Sequence, residues 1–193
     1  MKTVIDKANT RGYFNHGWLK TYHTFSFADY YNPRRIHFGA LRVLNDDTVA
    51  PGEGFGMHPH KNMEVVSIPL QGYLRHGDSV QNESTIAPGE IQVMSTGTGI
   101  YHSEYNASKT EDAKFLQIWI IPNVEGTKPE YHSHLHLTIW QYTGASATGR
   151  MVLYGHIGCR TKCDIPYAQT THRCLYLHYR RRNKCSRRES FTS

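Results

Sequence analysis

Short apolar runs closed by glycine, proline, asparagine or aspartate recur along the first two-thirds of this 193-residue chain, and no stretch sustains a helical period. Strands of that length and spacing bury one face each, so they must curl into a sandwich or barrel. Residues 38–44 read as a strand closed by the turn formers Asn45-Asp46-Asp47. Residues 50–56 form a glycine-rich loop. Residues 64–70 are a second strand, in which Pro69 cannot donate to a ladder and is expected at a bulge or an edge. Residues 73–76 and 84–86 pair as a hairpin around Val80-Gln81-Asn82, and 91–94, 100–105 and 115–121 complete the set. The alternation His132-Ser133-His134-Leu135-His136 extends to Thr138-Ile139-Trp140, and beyond Gly144 neither period persists.

Charge divides the chain at a similar place. Through residue 149 there are 12 Lys/Arg against 14 Asp/Glu, net −2; residues 150–193 carry 10 against 2, net +8. Cys159, Cys163, Cys174 and Cys185 all fall in this last part. The chain therefore reads as a near-neutral domain, residues 1–131, followed by a basic, Cys-containing tail, residues 132–193, without a recognisable domain. The basic run 180–188 has no reading element beside it, so a solvated tail is expected rather than specific nucleic-acid binding. Cys159 and Cys163 with Cys174, His172 or His178 match a zinc site only loosely. No apolar run reaches the roughly 18 residues of a membrane span, and the charged start lacks a signal peptide's apolar stretch. A cytoplasmic protein is expected.

Two residue pairs carry the chemistry: His58-Pro59-His60 and His102-Ser103-Glu104. On a strand, an i, i+2 spacing puts both side chains on one face. Two such strands facing each other across a barrel would bring three imidazoles and a carboxylate to one point. Such a donor set suits Fe(II), Mn(II), Ni(II) or Cu(II) and leaves positions open on an octahedral ion. Structural zinc sites are closed tetrahedra, commonly with cysteine, and no cysteine lies in the first domain. His16, His23, His37 and His76 lack comparable support and read as packing or hydrogen-bonding residues. Trp18, Phe25, Phe27, Tyr30 and Tyr31 read as core or barrel cover, and Met63 and Met94 as fillers.

The spacings Gly52-x5-His58-x-His60-x3-Glu64-x7-Gly72 and Gly99-x2-His102-x3-Asn106 resemble the two signature motifs of the cupin superfamily of jelly-roll barrels. Gly97 stands where a proline is usual, and Glu64 comes one residue early. The resemblance is closer to the pirin family and its bacterial quercetin-dioxygenase-like branch. It is carried by Asn15-His16-Gly17-Trp18-Leu19, His23-Thr24-Phe25-Ser26-Phe27-Ala28, Phe55-Gly56-Met57-His58-Pro59-His60 and Ser95-Thr96-Gly97-Thr98-Gly99-Ile100-Tyr101-His102-Ser103-Glu104, and it runs from about residue 5 to about residue 131.

That resemblance implies an all-β cupin jelly-roll barrel and one divalent metal, typically Fe(II), held by His58, His60, His102 and Glu104. It implies Glu64 and Asn106 as supports behind the ligands, with Glu64 on the ligand-bearing face by alternation. It further implies a dioxygenase of the quercetin 2,3-dioxygenase type: Glu104 takes the 3-hydroxyl proton of a flavonol, dioxygen attacks the ring, and the ring opens with loss of carbon monoxide. A non-enzymatic metal-binding regulator acting through a protein partner keeps the same ligands, as does an inactive truncated paralogue. Pirin-like proteins usually carry a second barrel, so the change near Tyr131 reads as a frameshift, truncation or rearrangement. A barrel without its companion is expected to expose an apolar face and to self-associate through it.

Overall fold

Period-two burial builds the fold. Strand β3 (Leu41–Val49) alternates buried and half-buried residues along its whole length, and β2 (Leu19–His23) alternates buried and exposed. The other strands are β1 (Gly12–Asn15), β4 (Gly54–His60), β5 (Glu64–Gln71), β6 (Leu74–Asp78), β7 (Glu83–Ile86), β8 (Glu90–Ser95), β9 (Ile100–Asn106), β10 (Ala113–Ile120), β11 (Glu130–Leu137) and the two-residue β12 (Ile157–Gly158). This computed structural model describes residues 6–137 and 157–158, so the tail cysteines, the basic run and Thr138-Ile139-Trp140 lie outside the described residues. Among the described residues there is no α-helix, and no helix is long and apolar enough to cross a membrane.

The strands form two antiparallel sheets. The large one runs β1-β2-β3-β10-β5-β8-β11-β12 and the small one β4-β9-β6-β7. Their inner faces share a core: Leu19, Val49 and Phe115 from the large sheet meet Leu74 and Ile86 from the small one. Phe115 and Ile86 are completely buried, and burying a side chain of that size is worth about 1.5–3 kcal/mol. The fold is the expected all-β, cupin-like one. Met94 fills a second cluster with Val65 and Ile100, against which Met63 packs.

Pro69 behaves as anticipated. The β5–β10 register slips so that Phe115 faces Pro69 while Lys114 faces Gln71, and β5 pairs with β8 only from Glu64 to Ser67. The imide nitrogen therefore sits where the ladder is interrupted.

Two expectations are corrected, the turn at Asn45-Asp46-Asp47 and the cover role of Tyr31. Asn45-Asp46-Asp47 is no turn; β3 continues to Val49 because it is paired on both sides, with Tyr22 and Thr21 opposite Asp46 and Asp47 on β2, and with β10 on the other edge. Two ladders outweigh weak strand propensity. The segment before residue 24 is a hairpin, β1–β2, turned by Gly17 at φ +83°. Tyr31 is 74% exposed and covers nothing, whereas Phe25 is buried. Strand β11 pairs with β8 on one side and β12 on the other.

Candidate metal centre

Strands β4 and β9 are hydrogen-bonded neighbours in the small sheet, with His58 directly opposite His102 and His60 opposite Ile100. The histidines are thus adjacent on one sheet rather than opposed across the barrel. A register shift between Phe55 and His58 sets the histidines of β4 against His102. Gly54 makes the close approach possible: a Cβ there would stand 2.3 Å from the Glu104 carbonyl oxygen. Cross-strand pairing and the i, i+2 period together gather three rings, with centroids 4.4 Å (His58–His102), 4.8 Å (His60–His102) and 4.9 Å (His58–His60) apart.

Ligand atoms of His58, His60 and His102 all lie within 4.8 Å of one another. His58 Nδ1 donates to the Gly56 carbonyl at 2.7 Å, which leaves the Nε2 lone pair free. His102 is fully buried, and neither of its ring nitrogens has a hydrogen-bond partner. A neutral imidazole sealed from water with both nitrogens unpaired is costly unless something takes up a lone pair. Burial lowers the pKa of His60 to about 4 and that of His102 to about 2, with the other rings of the cluster adding to it. Both are therefore neutral and free to ligate at neutral pH. The donor set fits a divalent transition metal.

Glu104 follows His102 on the same face of β9 and is 1% exposed. Its carboxylate is not in the histidine group. Instead Oε1 accepts from Ser67 Oγ and Gln92 Nε2, and Oε2 from Gln117 Nε2, each at 2.5 Å. Gln92 Oε1 accepts from Tyr131, whose hydroxyl also pairs with Ser84. Burial raises the Glu104 pKa, and the bonds from Ser67 and Gln117 oppose it. Glu104 is clamped in place by donors from three strands of the opposite sheet.

Residues 4–120, well over half of the chain, match the Pirin family. The chain belongs to this family. It is 54% identical over 127 residues to the quercetin 2,3-dioxygenase of Escherichia coli K12, covering 66% of this chain and 55% of that protein. Among solved structures, the E. coli bacterial pirin YhhW in complex with nickel(II) superposes with a TM-score of 0.64 at 54% identity, over 66% of this chain and 55% of the other. A quercetin 2,3-dioxygenase from Acinetobacter baumannii gives a TM-score of 0.50 at 26% identity over 60% and 43%. This pirin-family chain thus spans little more than half the length of the curated relatives it matches.

The two residues expected behind the ligands lie elsewhere. Glu64 shares a strand face with Val66 and Ile68, opposite to that of Ser67, and its carboxylate accepts from Ser95 at 2.5 Å. Alternation counted from His60 fails because the chain leaves β4 and enters the other sheet between them. Asn106 is a loop staple: Nδ2 lies 2.7–3.1 Å from the carbonyls of Val49, Ala50 and Glu111, and Oδ1 accepts from Ser108 N. Residues that do border the site gave no sequence signal of their own. Trp119 stands edge-on to His60 at 4.7 Å and Phe55 edge-on to His58 at 6.5 Å. Ser67, Gln92 and Gln117 would have shown only as polar residues at inward positions of apolar strands. His132 faces Glu130 at 3.7 Å and belongs to no metal-ligand group among the described residues.

Proposed function

We propose that this chain is the metal-binding barrel of a dioxygenase of the quercetin 2,3-dioxygenase type, which opens a flavonol ring with O2 and releases carbon monoxide. The observation that carries the reading is His102, sealed among two other imidazoles with both nitrogens unpartnered. A divalent ion, Fe(II) in this proposal, supplies Lewis acidity toward a substrate hydroxyl and redox access to dioxygen. His58, His60 and His102 hold it, and Glu104 is the proposed fourth ligand and the acceptor of the 3-hydroxyl proton. Three donors from the opposite sheet hold the Glu104 carboxylate in the ligand-free barrel, on the same face of β9 as His102, and taking the fourth position requires it to turn from them toward the ion. Trp119 and Phe55, edge-on to the ligand rings, would be apolar neighbours for a flat aromatic substrate. The names of the relatives support the substrate class.

The test is anaerobic purification, loading with Fe(II), and parallel assays of oxygen uptake, flavonol bleaching and carbon monoxide release. Turnover is expected in the wild type and lost in His58→Ala. Metal-loaded wild type that turns over no faster than His58→Ala refutes the dioxygenase reading, and a partner captured only by metal-loaded protein would replace it with the regulator.

A further inference from the structure

A fourth histidine of the small sheet, His76, is 1% exposed and sits opposite Glu104 in the β6–β9 ladder, with Asp78 opposite His102. Its ring lies 5.4 Å from that of His102 and stacks on Tyr131 at 4.2 Å, the planes 13° apart. Its Nε2 is 3.3 Å from Asp78 Oδ2. Asp78 is itself held by the turn between β6 and β7. Val80 N and Asn82 N donate to Oδ1 at 3.0 and 2.9 Å, and Asn82 Nδ2 donates to Oδ2 at 2.8 Å. A carboxylate surrounded by donors is ionised and only accepts, so His76 Nε2 carries the proton and Nδ1 keeps a lone pair. That Nδ1 is buried and has no partner.

His102 offers the complement. When one of its nitrogens gives a lone pair to a metal, the other carries a proton. Metal binding therefore satisfies one of its two unpartnered nitrogens and leaves a buried N–H. A donor and an acceptor are stranded on neighbouring rings. An N–H···N bond of about 2.9 Å plus two ring radii puts imidazole centroids roughly 5 Å apart, close to the separation seen. Because Asp78 holds His76 Nε2, the bond would form by rotation of the His102 ring.

We propose that Asp78 and His76 are a positioning pair for the metal centre. Asp78 fixes the His76 tautomer, and His76 Nδ1 accepts from the non-ligating N–H of His102, aiming that ring and raising its basicity. The arrangement is the familiar carboxylate behind a metal-bound histidine, lengthened by one imidazole. The turn 78–82 thereby becomes part of the metal site, although none of its side chains touches the ion.

This inference rests on the metal-binding reading, and the experiment separates the two. Full-length wild type, His102→Ala, His76→Phe, His76→Gln and Asp78→Asn are titrated with Co(II) against a chelating indicator, and the Co(II) absorption bands are recorded. His76→Phe and Asp78→Asn are expected to bind roughly 10- to 100-fold more weakly, with shifted bands. His76→Gln, whose amide oxygen accepts as Nδ1 does, is expected to stay near wild type. Asp78→Asn deletes no volume and answers the question if His76→Phe fails to fold: its amide can donate to His76 Nε2 and drive the proton to Nδ1, against that of His102. Wild-type affinity and bands in Asp78→Asn overturn the proposal, as does equal weakening in the Gln and Phe variants. If His102→Ala binds as wild type does, it is the metal reading that falls.

Discussion

Replacing Asp47 with asparagine isolates what it costs to keep a carboxylate inside the barrel. Asp47 is 3% exposed, and one of its oxygens is buried without a partner. Burial pushes its pKa up to about 7, against the Thr21 hydroxyl and with help from the Glu104 and Asp46 charges. The folded-state value thus lies above the unfolded one of 3.8. Between about pH 4 and 7 the folded protein keeps a proton that the unfolded chain releases, so stability from Asp47 falls as pH rises through that window and is level above it. About three pH units at about 1.4 kcal/mol each gives about 4 kcal/mol. Two buried histidines act in the opposite sense. His60 and His102 have depressed folded-state values, so their contributions rise with pH until the unfolded value of 6.5 is passed. The wild-type curve alone mixes these effects, whereas the difference between Asp47→Asn and wild type does not. Urea unfolding in EDTA at several pH values between 4 and 8.5 measures it; the chelator matters because a bound cation would favour the Asp47 anion. The two proteins are expected to be equally stable near pH 4, with the asparagine variant ahead by about 4 kcal/mol at pH 8. Parallel curves would refute the assignment of the raised pKa to Asp47.

Metal should act on stability by mass action: Co(II) at 100 times its dissociation constant is expected to add about 2.7 kcal/mol to urea-measured stability, and His58→Ala should abolish the gain. Gly97→Ala is expected to cost about 3 kcal/mol, measured by the same unfolding assay, because φ is +43° and a Cβ would stand 2.0 Å from the Thr127 carbonyl oxygen. Gln92→Leu removes a donor from Glu104 and the acceptor of Tyr131, and should lower the unfolding free energy by about 1–3 kcal/mol.

The legible part of this protein was its periodicity. The i, i+2 histidines, the strand positions and the interruption at Pro69 depend on alternation and on a missing N–H, both of which are local. Asn45 and Asp47 misled because turn propensity is also local, while their place in β3 is decided by two partners far away in sequence. Register was equally invisible: nothing near His58 says that His102 lies opposite, or that the ligands share one sheet. His76 carries no sequence signal for the same reason, since its significance lies in facing Glu104 and standing 5.4 Å from the His102 ring. The departure at Gly97 explains itself in the structure. Proline is confined near φ −65°, and this position needs a positive φ.

The distribution of unpaired polar atoms argues for what the barrel is built to do. Around Glu104 nothing is wasted: Ser67, Gln92, Gln117, Tyr131 and Ser84 form a chain of donors and acceptors that spans both sheets. Around His102 the reverse holds. His102 Nδ1 and Nε2 and His76 Nδ1 are buried and unpartnered, as are Trp119 Nε1 on the ring beside His60 and, on β3, Asp47 Oδ1. Each such atom costs about 1–3 kcal/mol in a dry interior, so the ligand-free barrel tolerates a local cost that simple apolar replacements would remove. A fold selected for stability alone would not keep these atoms beside a fully satisfied carboxylate. They make sense if the satisfied network holds Glu104 still while the unsatisfied histidines wait for a partner that arrives from solution, so that the free energy of binding is spent where the chemistry occurs.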